Sequence, residues 1–148
     1  MSIIDQNAYR ILGLNTNSTK RLLQQRLDEL DAYKAIGQYP KYDTDIGFLG
    51  ELDRNEELID SAKNVINNKD LNFLHSLFWF SNASPVDNMA IDFIKNKKFD
   101  MAIPLWDNYV PEFNKNESEE NLLTDKNFHH VKNLAMLYLM ISLISKYN

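Results

Sequence analysis

The sequence predicts an all-α fold: an antiparallel helix pair near the N-terminus, then a C-terminal helical hairpin and a long final helix, about seven helices in all. Three observations point there. Glycine and proline number only four each in 148 residues, too few for a turn-rich sheet design. Apolar residues recur every three or four positions in successive segments rather than every second one. Residues suited to starting and stopping helices stand at the edges of those segments.

Asn7 to Leu14 reads as a short helix, with Ile11, Leu12 and Leu14 as apolar contacts and Gly13 as a left-handed stop. Ser18 or Asn17 then caps a helix from Thr19 to about Gly37, on which Leu23, Leu27, Leu30, Tyr33 and Ile36 share one face that requires a partner helix. Between Gln38 and Leu52 the pattern breaks into turn residues, Tyr39-Pro40, Asp43-Thr44-Asp45, Gly47 and Gly50, anchored by Ile46, Phe48 and Leu49. Asp53 is placed to cap the next helix, with Glu56 three residues on as in a capping box. The stripe of that helix is Leu58, Ile59, Ala62, Val65 and Ile66, and Asn67-Asn68 offers a left-handed end. Asp70 opens a further helix, Leu71 to Phe80, whose apolar positions 71, 74, 77 and 78 keep helical spacing.

After Ser81-Asn82-Ala83 the composition changes, so the chain divides into a region 1–80 and an extension 81–148 expected to pack on it. Ser84 caps a helix with Pro85 at its first position, where a missing N–H costs nothing, and Val86, Ala90, Phe93 and Ile94 face inward. Asn96-Lys97-Lys98 turns the chain into a second helix with Ala102, Leu105, Trp106 and Tyr109 inward and Pro104 tolerated. Residues 110–124 are the most polar stretch, suited to the surface. A last helix runs from about Thr124 to Lys146, apolar almost all round from Leu134 to Ile144, as in a helix that is buried or that docks on something this chain lacks. It ends beside the terminus without a clear cap, the pattern of a segment trimmed from a larger parent chain.

Composition narrows the functional classes. A net charge of −5, from 16 basic against 21 acidic residues, disfavours nucleic acid as a partner, since affinity for phosphates rests on clustered Lys and Arg. Lys95, Lys97 and Lys98 beside Asp100 read as a solvated helix end. With no cysteine there is no disulfide, thiol nucleophile or thiolate metal site, and a cytoplasmic setting is expected. The N-terminus lacks a basic region leading into an apolar core, and no apolar run reaches the roughly 20 residues that span a bilayer, so no membrane role is expected.

The segment Asn7-Ala8-Tyr9-Arg10-Ile11-Leu12-Gly13-Leu14, the long helix after it, the loop and the helix carrying Ile59 to Ile66 resemble the order and spacing of a J-domain, over roughly residues 6–70. Ile59-Asp60-Ser61-Ala62-Lys63-Asn64-Val65-Ile66 resembles that family's Ala-Tyr-x-x-Leu stretch, and Asn68-Lys69-Asp70 stands where Asp-Pro is usual. The resemblance implies a co-chaperone fold in which a basic helix and a His-Pro-Asp loop dock on a DnaK-type ATPase. Here the loop reads Tyr39-Pro40-Lys41, which reverses the charge of the motif's Asp, and Pro40 either matches the motif's proline or ends the preceding helix. Lys20, Arg21, Arg26 and Lys34 are offset by Asp28, Glu29 and Asp31, which weakens electrostatic steering. The remainder resembles an extension found beside degenerate bacterial J-like domains, and residues 96–106 look like one tetratricopeptide-type hairpin. A single hairpin builds no groove.

Candidate chemistry is sparse. The histidines are His75, His129 and His130; adjacent helical residues point about 100° apart, and no His-x-x-x-His spacing occurs, so no metal is assigned. Asp125 stands four residues before His129, and a surface contact is the simpler account of that i, i+4 spacing. Phe78-Trp79-Phe80 and Trp106 suit either an aromatic platform or a core, and core packing is the simpler account. Gly47-Phe48-Leu49-Gly50 lacks the Lys-Ser/Thr of a phosphate loop, and Glu56-Glu57 and Glu119-Glu120 fit helix-cap or loop positions. The expectation is a non-enzymatic protein-interaction or adaptor module without cofactor, of J-like ancestry, that does not stimulate a DnaK-type ATPase. Its surfaces would be Tyr39, Pro40 and Lys41 and any exposed side of the final helix. The alternatives are an active co-chaperone with an altered loop and a small-ligand-binding helical domain with a polar cleft near His75, His129 or Trp106.

Overall fold

A computed structural model of the chain describes residues 2–111, 124 and 127–147. Among the described residues there are seven α-helices, two 3-10 helices and no strand. They form two compact units, Met1–Phe80 and Ser81–Asn148.

The first unit contains α1 (Ala8–Ile11), α2 (Lys20–Ile36), 3-10 turns at Asp43–Asp45 and Gly47–Leu49, α3 (Glu56–Asn67) and α4 (Lys69–Leu77). Its core gathers Ala8, Ile11, Leu12 and Leu14 against Leu30, Ile59 and Ala62, with Leu23 and Leu27 packed on the edge. Each fully buried Leu or Ile contributes roughly 1.5–3 kcal/mol over leaving it in water. Gly13 stops α1 at φ +67°, as expected of a left-handed terminus. Asn7 is wholly buried and serves two helices at once: Oδ1 accepts from Tyr9 N–H, while Nδ2 donates to the carbonyls of His75 and Phe78 at the end of α4. Ion pairs Lys34–Glu56 and Lys63–Asp31 advance along α2 as they retreat along α3, so these two helices lie antiparallel.

Several boundaries differ from the sequence reading, each because a side chain is already engaged elsewhere. Thr19, not Ser18 or Asn17, caps α2 by accepting from Leu22 N–H at 3.1 Å, since the Ser18 hydroxyl is bound to the Asn15 carbonyl. Asn55, not Asp53, caps α3 through Leu58 N–H at 2.8 Å, because Arg54 turns inward ahead of the helix; Glu56 is then the first helical residue rather than the third, and faces Lys34. Asn68 is extended rather than left-handed and is shared, ending α3 and capping α4 at Lys69 in place of Asp70. That helix stops at Leu77, leaving Trp79 and Phe80 buried beyond its end. Ile36, in the last turn of α2, is 74% exposed and meets no partner helix.

In the second unit α5 (Pro85–Lys95) and α6 (Phe99–Asp107) pack together, and α6 packs on α7 (Phe128–Tyr147). Ser84 caps α5 with Pro85 at its first position, and Lys97 makes the connecting turn at φ +57°. Ala90, Ile91, Ile94, Ala102 and Trp106 are buried together with Leu134, Met136, Leu137 and Met140 of α7. The reverse side of α7 is open: Phe128, Ala135, Tyr138, Leu139 and Ser142 are exposed and fall on one helical stripe. Tyr109, expected inward, lies beyond α6 and is 38% exposed. Residues 112–123, which include Glu119-Glu120, and Asp125 lie outside the described residues.

Candidate functional site

The Tyr39-Pro40-Lys41 segment borders a pocket of about 230 Å³ that Gly37, Leu52 and Arg54 also line. Two buried arginines hold the chain behind it. Arg10 donates through Nε to the Asp45 carbonyl, through Nη1 to the Asp5 carbonyl and through Nη2 to the Gly50 carbonyl, at 2.9, 2.7 and 2.9 Å. Arg54 donates to the Ile11 carbonyl at 2.7 Å, the Pro40 carbonyl at 3.1 Å and Asp45 Oδ2 at 2.8 Å. Tyr42 lies under the Arg26 guanidinium at 3.8 Å, with that of Arg54 at 4.7 Å. Tyr39 and Pro40 are half-buried, and the exposed Lys41 ammonium pairs with Glu51 at 3.0 Å. This segment therefore presents neither an imidazole nor a carboxylate.

A second pocket, of about 330 Å³, is lined by Ile3, Gln6, Ile11, Leu58, Val65 and His75. His75 Nδ1 accepts from Ala8 N–H at 3.1 Å, so its proton is on Nε2; burial pushes its pKa down.

In the second unit the wholly buried Asp87 carboxylate collects donors from three elements. Trp106 Nε1–H reaches Oδ1 at 2.9 Å, Ala83 N–H reaches Oδ2 at 3.0 Å, and His130 Nδ1 stands 3.0 Å from Oδ1. The Asp87–His130 contact is a hydrogen bond donated by the tautomer with its proton on Nδ1. His129 Nε2 lies 3.3 Å from Asp87 Oδ2, yet out of hydrogen-bond alignment, and is buried without a hydrogen-bond partner. The His129 and His130 rings are 3.9 Å apart, and Tyr109 stacks on His130 at 3.9 Å. Burial pulls the His129 pKa down and His130 adds to this, with Asp87 opposing. Lys132 donates to Ser81 Oγ at 2.7 Å, and its pKa is lowered by burial to about 8.

No family model, curated protein or solved structure matches this chain. Both histidines at the start of α7 reach the Asp87 carboxylate although neighbouring helical positions point about 100° apart. His130 uses its near nitrogen and His129 its far one, and this difference in reach closes the angle between neighbouring helical positions. Trp79, Phe80 and Trp106 are each buried, so they form core rather than a stacking platform.

Arg10, Arg54 and Asp87 were missed, and two of them had left a signal. Asp87 occupies the position before Ala90, Ile91 and Ile94 in the apolar stripe of α5, and Arg10 lies among the apolar residues of α1. A charge at an apolar position marks a buried partner.

Proposed function

We propose that this chain is a non-enzymatic protein-interaction module of J-domain-like ancestry that does not stimulate a DnaK-type ATPase. The observation that carries the reading is the two-sided α7: Leu134, Met136, Leu137 and Met140 are buried while Tyr138 and Leu139 remain 51% and 38% exposed on the reverse stripe. From Val131 to Ser145 Lys132 is the single charged residue. An apolar stripe with so little positive charge suits an apolar helix of a partner protein better than an anionic lipid surface or a nucleic-acid backbone. Pairing of Lys41 with Glu51, Arg26 with Glu29 and Lys34 with Glu56 supports the second half of the reading, since each pair offsets a positive charge that would steer an ATPase. Among the described residues no helix is long and apolar enough to cross a membrane. A cytoplasmic setting belongs to the same proposal.

Placing a photo-crosslinkable residue at position 138 of the full chain in its native cell should yield one discrete adduct with a different protein, lost on adding Leu139→Glu and absent when the probe replaces Asn96. No adduct above that control, or an adduct only with a second copy, would overturn the partner. Stimulation of ATP hydrolysis by a DnaK-type chaperone would overturn the inactive reading of the loop.

A further inference from the structure

We propose that Asp87, His129 and His130 bind one divalent transition-metal ion of the zinc or cobalt class. One ligand atom from each residue lies within 4.8 Å of the other two. His130 Nδ1 stands 3.0 Å from Oδ1 and His129 Nε2 3.3 Å from Oδ2 of the same carboxylate. Donors about 2.0–2.1 Å from a tetrahedral ion stand about 3.3 Å from one another. Binding draws the two imidazoles towards one carboxylate oxygen, and the Nδ1 proton of His130 passes to solvent as the ion enters.

Two imidazole nitrogens and one carboxylate suit zinc or cobalt rather than calcium or magnesium, which prefer an all-oxygen shell. Three protein ligands leave a fourth position for water or a partner's side chain. The surroundings hold the carboxylate in place as outer partners of a metal site do, through Trp106 Nε1–H and Ala83 N–H, while Tyr109 flanks the His130 ring.

Within this network His129 is the member held least well, 3.3 Å from Asp87 Oδ2 and out of hydrogen-bond alignment. Asp87 already accepts from Trp106, Ala83 and His130, and the His129 Nε2 atom is left buried without a hydrogen-bond partner beside it. A metal ion satisfies that nitrogen. Lys132 opposes a cation here, but its ammonium donates to Ser81 Oγ.

The full chain, stripped with a chelator, is titrated with Co²⁺ and with Zn²⁺. One equivalent should bind, Zn²⁺ should shift the imidazole resonances of His129 and His130, and His129→Gln should weaken binding on the order of tenfold or more with helicity unchanged. His129 is the least buried of the three ligands, so this variant disturbs the core least. Absence of saturable binding, a shift confined to His75, or unchanged affinity in His129→Gln would overturn the site.

Discussion

Arg54 holds Asp45 with both terminal nitrogens: Nη1 donates to Oδ2 at 2.8 Å, and Nη2, which pairs with Oδ1, also donates to the Arg10 carbonyl at 3.0 Å. One side chain thereby ties the loop after α2 to α1. Removing one partner of a buried pair leaves the other uncompensated, so Arg54→Ala should cost about 3–5 kcal/mol in urea denaturation. Lys41→Ala breaks only the exposed Glu51 pair and should leave the midpoint unchanged.

Gly13 and Gly37 both sit at positive φ, +67° and +73°, but in different surroundings. A Cβ at Gly13 would collide with the Tyr42 ring and the Arg26 guanidinium, whereas at Gly37 it would meet nothing within 4 Å. Gly37→Ala should cost about 1–2 kcal/mol for the left-handed backbone alone. Gly13→Ala should cost clearly more, read as a lower thermal midpoint.

His75 accepts the Ala8 N–H at the start of α1, and burial depresses its pKa. Above about pH 6.5 it is neutral folded or unfolded. As pH falls from there towards the depressed folded value, the unfolded chain binds the proton first, so stability declines. His129 is shifted the same way. His75→Gln should therefore flatten, without abolishing, the loss of urea midpoint between about pH 7 and pH 5.

Leu137 is wholly buried and Leu139, two residues on, is 38% exposed. Leu137→Ala should cost about 2–5 kcal/mol, while Leu139→Ala should shift stability by no more than about 0.5 kcal/mol. Equal losses at both positions in chemical denaturation would show that α7 lacks an open side.

Most of the helical architecture was legible because its signals are local. Ser84-Pro85 starts a helix wherever it stands, and Gly13 ends α1 because backbone sterics disfavour other residues there. Cap choice was less legible where several competent residues adjoin: Ser18 was claimed by the Asn15 carbonyl, and Asp53 was displaced as a cap by the inward turn of Arg54. The Asp87 centre was half legible, since a carboxylate in an apolar stripe announces burial but not which donors meet it.

By itself the sequence determined the all-α class, the succession of helices and the break in pattern between Gln38 and Leu52, because period and punctuation act over a few residues. Only the tertiary structure decided that Asn7 serves two helices, that Arg10 and Arg54 hold the loop, that α7 keeps an open apolar stripe, and that Asp87 stands against His129 and His130. Each of those depends on groups tens of residues apart, and a chain pattern holds no record of distance in space.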